Sequence, residues 1–167
     1  VCCLLIIVSA RAAAEANILV FHRFNDQRYP STSISTQKLT ELFTYLESND
    51  YRVVSLDQLV TKLQQGRKIP DKTVVLTIDD GYESFYQHGL EVFKQYDYPF
   101  TIFVATKPIN QGYGDFLSWQ QLQEIKQYGM IGSHSYDHCR LTTLSQPQIK
   151  KNIKLSMDDI EKHLGSK

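Results

Sequence analysis

The stretch TVVLTIDDG, residues 73–81, decides the fold. Its first six residues are apolar or β-branched and lack the polar alternation of a half-exposed strand, which is typical of a parallel strand covered on both faces. Asp79 and Asp80 follow directly, and Gly81 supplies the backbone freedom for a sharp turn. The stretch therefore predicts a buried strand of an α/β fold that carries two carboxylates at its C-terminal end.

Similar strand-like runs alternate with helical patterns along the rest of the chain. The predicted strands cover residues 18–21, 52–54, 73–78, 101–105 and 130–132, and the predicted helices cover residues 36–48, 56–65, 83–96, 119–128 and 148–164. Residues 24–35 and 107–117 are predicted to be long loops, and Gly66 and Gly129 are expected to end helices in a left-handed conformation. This alternation favours a parallel sheet with helices between its strands.

Composition limits the chain to one ordinary globular domain. It has 167 residues, of which 42% are hydrophobic and 22% charged. The 18 Lys and Arg residues balance the 18 Asp and Glu residues, so no basic field exists to gather nucleic acid or an anionic membrane. Cys2 and Cys3 are adjacent and only Cys139 lies in the body of the chain, so no disulfide is expected within the folded part.

The first sixteen residues, VCCLLIIVSARAAAEA, are typical of a secretory signal, with an apolar run over 1–10 and a small-residue stretch after it. A buried N-terminal strand or an anchor is the alternative, and a membrane-spanning helix would need about 20 apolar residues. We therefore expect residues 1–16 to be a signal with a clipped cationic region, and residues 17–167 to be a domain that is secreted, periplasmic or located in the cell envelope.

Two short segments carry residues suited to metal chemistry. Asp79-Asp80-Gly81 and His134-Ser135-Tyr136-Asp137-His138 each follow a predicted strand, so both are expected at the same edge of the sheet. Taken alone, the first segment could be an Asp-Gly turn that caps a helix, and the second a chance pair of surface histidines. Together, one carboxylate and two imidazoles make a three-ligand catalytic metal site, and the second carboxylate is free to act as a base.

A third histidine, His22, follows the first predicted strand and is expected at the same edge. It could serve the chemistry there, or it could be a partly buried histidine whose hydrogen bonds are satisfied by the neighbouring loop.

These segments resemble the motifs of a known enzyme family. Residues 77–81, TIDDG, are similar to the Thr-Phe-Asp-Asp-Gly motif of the polysaccharide deacetylases (the NodB-homology group, carbohydrate esterase family 4), with Ile78 in place of Phe. His134–His138 matches that family's His-[Ser/Thr]-x-x-His motif, and Leu117-Ser118-Trp119 and Gly132-Ser133 also resemble family sequence. The resemblance covers residues 17 to 167.

The resemblance implies a fold and a role for each matched residue. The fold is an irregular (β/α) barrel of about seven units, of which we expect this chain to supply about five, so that the domain is C-terminally incomplete. Asp80, His134 and His138 would bind the metal, and Asp79 would be the catalytic base. Phe21-His22 resembles the branch that contains poly-N-acetylglucosamine deacetylases, in which a histidine at this position would be the general acid.

The implied function is metal-dependent removal of N-acetyl groups from an N-acetylglucosamine-containing polysaccharide, with release of acetate. The expected cofactor is a divalent ion, Zn²⁺ first and Co²⁺, Ni²⁺ or Fe²⁺ as alternatives, and the expected partner is an N-acetylated glycan such as poly-N-acetylglucosamine or peptidoglycan. Two alternatives stay open: hydrolysis of another amide on the same scaffold, and a non-catalytic carbohydrate-binding envelope domain.

Aromatic residues near the motifs are candidates for sugar binding. Tyr82 and Trp119 could offer flat surfaces to sugar rings beside the site, although packing in the core or in loops is the competing interpretation.

Overall fold

The computed structural model describes residues 15–165, and the predicted signal lies almost wholly outside this range. The described strands are β1 (Ala16–Phe21), β2 (Arg23–Phe24), β3 (Ser33–Ile34), β4 (Arg52–Val53), β5 (Thr73–Ile78), β6 (Thr101–Val104) and β7 (Met130–Ser133). The described helices are α1 (Thr36–Ser48), α2 (Leu56–Gln64), α3 (Leu90–Gln95), α4 (Thr106–Asn110), α5 (Trp119–Ile125) and α6 (Gln146–Leu164). The predicted α/β alternation is confirmed.

Five of these strands form one parallel sheet. Strands β1, β5, β6 and β7 lie side by side in that order, and β4 pairs with the amino-terminal end of β5. Phe21 lies opposite Ile78, and Val104 lies opposite Ser133. The carboxyl ends of β1, β5 and β7 therefore meet at one edge, where the sequence predicts the site. Within the described residues the sheet is open: β1 and β7 end the four-strand order, and β4 pairs only with β5.

An aromatic cluster joins the helices to one face of the sheet. Phe43 of α1 and Phe93 of α3 meet edge to face with 4.9 Å between ring centroids, and Phe93 meets Phe85 in the same way. Leu76 and Ile78 of β5 are fully buried in this cluster. Edge-to-face aromatic pairs add about 0.5–1.5 kcal/mol each to the burial of their area, so this cluster holds β5 firmly in place.

The opposite face of the sheet is covered at its centre and exposed at its edge. Leu59 of α2 packs on Val75, so all six residues of β5 are buried, as the sequence predicts. Ile18 and Val20 of β1 share this face, and they are 49% and 51% exposed. No helix in the range 15–165 has the length and apolar character of a membrane span.

Three regions differ from the sequence prediction. The predicted helix over 83–96 is a π-helical turn, Phe85–Gly89, followed by the short α3, and Phe24 of β2 packs on Phe85 where the backbone widens. The predicted loop over 107–117 begins within α4, and the predicted loop over 24–35 contains the paired strands β2 and β3. Elements of two to five residues are too short to show a periodicity in the sequence.

Candidate metal and catalytic site

The turn after β5 brings two carboxylates to the carboxyl edge of the sheet. Asp80 and Gly81 both have positive φ angles, 73° and 85°. A Cβ on Gly81 would lie 3.0 Å from Cγ1 of Val104, so the turn needs glycine both for its conformation and for its close approach to β6. The Asp79 amide donates to the Phe21 carbonyl at 2.8 Å, which fixes the start of the turn against the end of β1.

A second loop, after β7, carries the two histidines. The His134 amide donates to the Val104 carbonyl at 2.9 Å, so this residue continues the sheet pairing. Ser135 and His138 have φ angles of 68° and 55°, which fold the loop back on itself. The two imidazole rings lie with 4.8 Å between their centroids. The loop therefore places both rings beside the turn that carries Asp80.

Asp80, His134 and His138 converge on one point. The Oδ1 atom of Asp80 lies 3.2 Å from Nε2 of His134 and 3.1 Å from Nε2 of His138. Within the described residues, this buried oxygen has no hydrogen-bond partner. Tetrahedral coordination with bonds of about 2.0–2.1 Å places ligand atoms about 3.3 Å apart, close to the distances seen here. An unpartnered buried oxygen facing two imidazole nitrogens fits a divalent metal ion.

Electrostatic coupling within the group agrees with this arrangement. Burial raises the pKa of Asp80, but His134, His138 and, more distantly, His22 lower it, and the net result is a pKa below the ordinary value. Asp80 in turn raises the pKa of His134, burial opposes this effect, and the negative charge of Asp79 adds to it. Asp79 and His22 are therefore both close enough to act on the three-residue group.

The base and acid candidates lie on either side of the same junction. The Asp79 amide is bonded to the carbonyl of Phe21, and His22 is the next residue along the chain. His22 lines a groove of about 380 Å³ with Val20, Arg23 and the segment 31–34. A second groove, of about 610 Å³, is lined by His134 and His138 together with Leu141 and Ile153. One groove thus lies beside His22, and another lies beside His134 and His138.

The two aromatic candidates are engaged by protein groups. The Tyr82 ring stacks on the Arg23 guanidinium, whose central carbon lies 3.4 Å from the ring centroid. The indole N–H of Trp119 donates to Oδ1 of Asn110 at 3.0 Å, and its ring stacks on His163 with 4.3 Å between centroids. The contacts of Trp119 are therefore with α4 and α6, whereas Tyr82 directly follows the turn that carries Asp79 and Asp80.

Comparison with known proteins agrees with the motifs. Residues 66–167 match the family model described as polysaccharide deacetylase. The chain belongs to the polysaccharide deacetylase family. It is 32% identical over 127 residues to the poly-beta-1,6-N-acetyl-D-glucosamine N-deacetylase of Escherichia coli K12, a match that covers 67% of this chain and 19% of that protein. A Staphylococcus aureus enzyme of the same name is 24% identical over 160 residues, which cover 93% of this chain and 54% of that protein.

Solved structures show the same fold. The Streptococcus pyogenes deacetylase PplD, in complex with acetate, superposes with a TM-score of 0.83 at 23% identity and covers 93% of this chain and 71% of its own. IcaB from Ammonifex degensii gives a TM-score of 0.78 at 25% identity, with 91% of this chain and 70% of that chain covered. This member of the polysaccharide deacetylase family spans about half or less of the length of the Escherichia coli and Staphylococcus aureus relatives.

Sequence reasoning missed two buried polar residues beside the site of this polysaccharide deacetylase family member. Arg23 is buried between Tyr29 and Tyr82 and forms ion pairs with Asp26 and Asp115. Asn152 lies on the buried stripe of α6 and bonds the loop between the two histidines. A polar residue on the apolar stripe of a helix is a signal that the sequence contains, and it could have identified Asn152.

Proposed function

We propose that this chain is the catalytic part of a metal-dependent N-deacetylase that removes acetyl groups from the N-acetylglucosamine units of a polysaccharide. The observation that carries the proposal is the buried, unpartnered Oδ1 atom of Asp80 facing the Nε2 atoms of His134 and His138. When bound there, a divalent ion, Zn²⁺ before Co²⁺, Ni²⁺ or Fe²⁺, supplies Lewis acidity and lowers the pKa of a coordinated water.

The first proton transfer is assigned to Asp79. Its carboxylate takes a proton from the attacking water, whose oxygen adds to the acetyl carbon of the substrate. Asp80 faces the two histidines, so the carboxylate of the adjacent Asp79 is the one that is left to act as the base. The bond from its amide to the Phe21 carbonyl fixes its position relative to β1.

The second proton transfer is assigned to His22. As the carbon–nitrogen bond breaks, the sugar amine must gain a proton, and a protonated imidazole beside the site can donate it. His22 reaches the site from β1, a different strand from the one that carries Asp79, and it is near enough to lower the pKa of Asp80. The products are acetate and a glucosamine unit of the polymer.

A polymeric glycan is supported by the surroundings of the site and by the relatives. The grooves beside His22 and beside His134 leave room for further sugar units next to the site. The Escherichia coli and Staphylococcus aureus relatives are named for poly-beta-1,6-N-acetyl-D-glucosamine, so this polymer is the first substrate to test. Such a substrate agrees with a secreted or envelope location and with the signal predicted over residues 1–16.

The test combines metal content with acetate release. We expect the purified chain to hold about one zinc ion, and His134→Ala to lose it. His88→Ala is the matched control because His88 is exposed on the π-helical turn. Acetate release would then be measured from β-1,6- and β-1,4-linked N-acetylglucosamine oligomers. A folded wild-type chain that binds no zinc would contradict the proposal, and zinc binding without hydrolysis of any N-acetylated substrate would favour a non-catalytic domain.

A further inference from the structure

The loop between the two histidines has a backbone that other groups must hold in place. Ser135 and His138 have positive φ angles of 68° and 55°, a region that residues other than glycine adopt at a cost. Such conformations persist where surrounding contacts determine them. The question is therefore which side chains fix residues 134–138.

His134 and His138 differ in how firmly they are held. The amide of His134 is part of the sheet pairing through the Val104 carbonyl, and its side chain is half-buried. The His138 side chain is 55% exposed, and its amide donates to Oγ of Ser135 at 3.2 Å. His138 therefore depends on the shape of the loop, whereas His134 is held by the sheet.

Helix α6 supplies the group that fixes this shape. Asn152 is buried, and its Oδ1 atom accepts a hydrogen bond from the Tyr136 amide at 2.7 Å. Its Nδ2 atom donates to Oδ1 of Asp137 at 2.6 Å, and the same carboxylate oxygen accepts from the Cys139 amide at 3.3 Å. One amide side chain thus binds the two residues that precede His138, through one acceptor and one donor.

We propose that Asn152 is a positioning residue for the metal site, which sets the place of the His138 ring relative to Asp80. The inference rests on the proposed function, because it concerns the same three ligands. It goes further in naming a residue on another element that controls metal affinity without touching the metal. Loss of a group bonded directly to a metal ligand typically costs about 10-fold to 100-fold in metal affinity, and for Asn152, which bonds the residues between two ligands, we expect the lower end of that range.

The hydrogen bond from Asn152 to Asp137 has a fixed donor and acceptor, which allows a specific test of the inference. Asn152→Asp keeps the acceptor for the Tyr136 amide, but it places a second carboxylate oxygen against Asp137. Adding Asp137→Asn supplies an amide that can donate across the same gap, with the net charge of the chain unchanged. The double variant is therefore expected to recover part of what the single variant loses; the rest is the hydrogen bond from the Cys139 amide, which an amide nitrogen at position 137 cannot accept.

The experiment measures Zn²⁺ dissociation constants for the full chain after removal of metal, with thermal unfolding of the metal-free protein as a folding check. Asn152→Asp is expected to weaken zinc binding by about 10-fold. The double variant with Asp137→Asn should bind zinc clearly more tightly than the single variant, although not as tightly as wild type. Gln146→Glu, an exposed amide-to-carboxylate change on the same helix, is the matched control and should bind zinc like wild type.

Each outcome decides a different point. Wild-type zinc affinity in Asn152→Asp, or a double variant no better than the single one, would overturn the role of Asn152. If Asn152→Asp does not fold, Asn152→Ala removes the contacts of this side chain with the loop, including the one to Sγ of Cys139, without adding charge. It is expected to show the same loss, so wild-type affinity there would also overturn the role of Asn152. A wild-type chain that binds no zinc would overturn the proposed function itself, and this inference with it.

Discussion

The guanidinium of Arg23 lies flat on the ring of Tyr82, with 3.4 Å between the central guanidinium carbon and the ring centroid. Its Nη1 and Nη2 atoms bind Asp26 at 2.7 Å and Asp115 at 2.8 Å. Arg23 therefore ties the segment after His22 to the segment after Asp80 and to the loop that precedes α5. The buried Arg23 thus fixes the segment that follows the proposed acid, His22, relative to the segment that follows the proposed base, Asp79.

Replacement of Arg23 by methionine is expected to destabilise the fold strongly. The substitution keeps much of the side-chain volume but leaves Asp26 and Asp115 with only the exposed Arg28 as a cationic partner. Breaking a buried ion pair costs up to about 3–5 kcal/mol, and the loss here is expected below that limit because Arg28 remains. Urea unfolding checks the loss. Arg28→Met is the control: Arg28 binds the same two carboxylates, but its side chain is 64% exposed, so a much smaller loss is expected. Equal losses would show that burial of Arg23 has no special weight.

Asp26 is expected to make stability depend on pH in the acid range. Arg28 and, to a smaller extent, Arg23 hold the pKa of Asp26 well below its usual range, although burial opposes them. Because the folded pKa lies below the unfolded value of about 3.9, the native state binds fewer protons. The contribution is therefore complete above the unfolded pKa and is lost as the pH falls through the folded pKa.

Unfolding of wild type and Asp26→Asn at pH 6 and at pH 3 tests this dependence. The wild-type advantage should be clear at pH 6 and smaller at pH 3, because at pH 3 the unfolded chain has bound a proton at Asp26 that it must release to fold with the charged carboxylate. An advantage that is the same at both pH values would contradict the assignment.

The sequence predicted the elements that have a long hydrophobic pattern and end at charged residues or glycine. The strand over 73–78 has the predicted bounds, because its apolar run is continuous and ends at two charged residues. Gly66 has the predicted left-handed conformation, with a φ angle of 62°. For Gly129 the prediction was wrong. Its φ angle is not positive, and the Phe100 ring lies where a Cβ of residue 129 would be. A positive φ angle and a close contact with a neighbouring ring both require glycine, so the residue type alone does not show which of the two applies.

The sequence predicts which residues form the candidate site, but it does not predict which residues hold them in place. Asp80, His134 and His138 are close together because the two segments that carry them directly follow strands of one parallel sheet, which the sequence predicts. The roles of Asp79 and His22 stay predictions. Asn152 lies 14 residues beyond His138, on a helix whose direction across the sheet edge depends on packing with α4 and α5. Residue patterns along the chain do not indicate that direction.

Alanine substitutions at three glycines separate backbone strain from steric contact. Gly81→Ala is expected to lose stability by about 1–3 kcal/mol, because its φ angle is 85° and the new Cβ would meet Val104. Gly112→Ala should lose about 1–2 kcal/mol from conformation alone, since its φ angle is 65° and the space around it is open. Gly114→Ala meets neither restriction and should be near neutral. Urea unfolding gives the order, and Gly81→Ala no worse than Gly112→Ala would contradict the contact with Val104.

Asp79→Asn distinguishes proton transfer from metal binding at the two adjacent carboxylates. The isosteric amide keeps the shape of the turn but is a poor proton acceptor, so kcat should fall by at least about ten-fold while zinc stays bound. Asp80→Asn removes the charge of a proposed ligand, and zinc should be lost together with activity. Asp71→Asn is the matched control, because Asp71 is exposed near the amino end of the same strand. Turnover unchanged in Asp79→Asn with zinc retained would remove Asp79 from the role of base, and loss of zinc would make it a ligand instead.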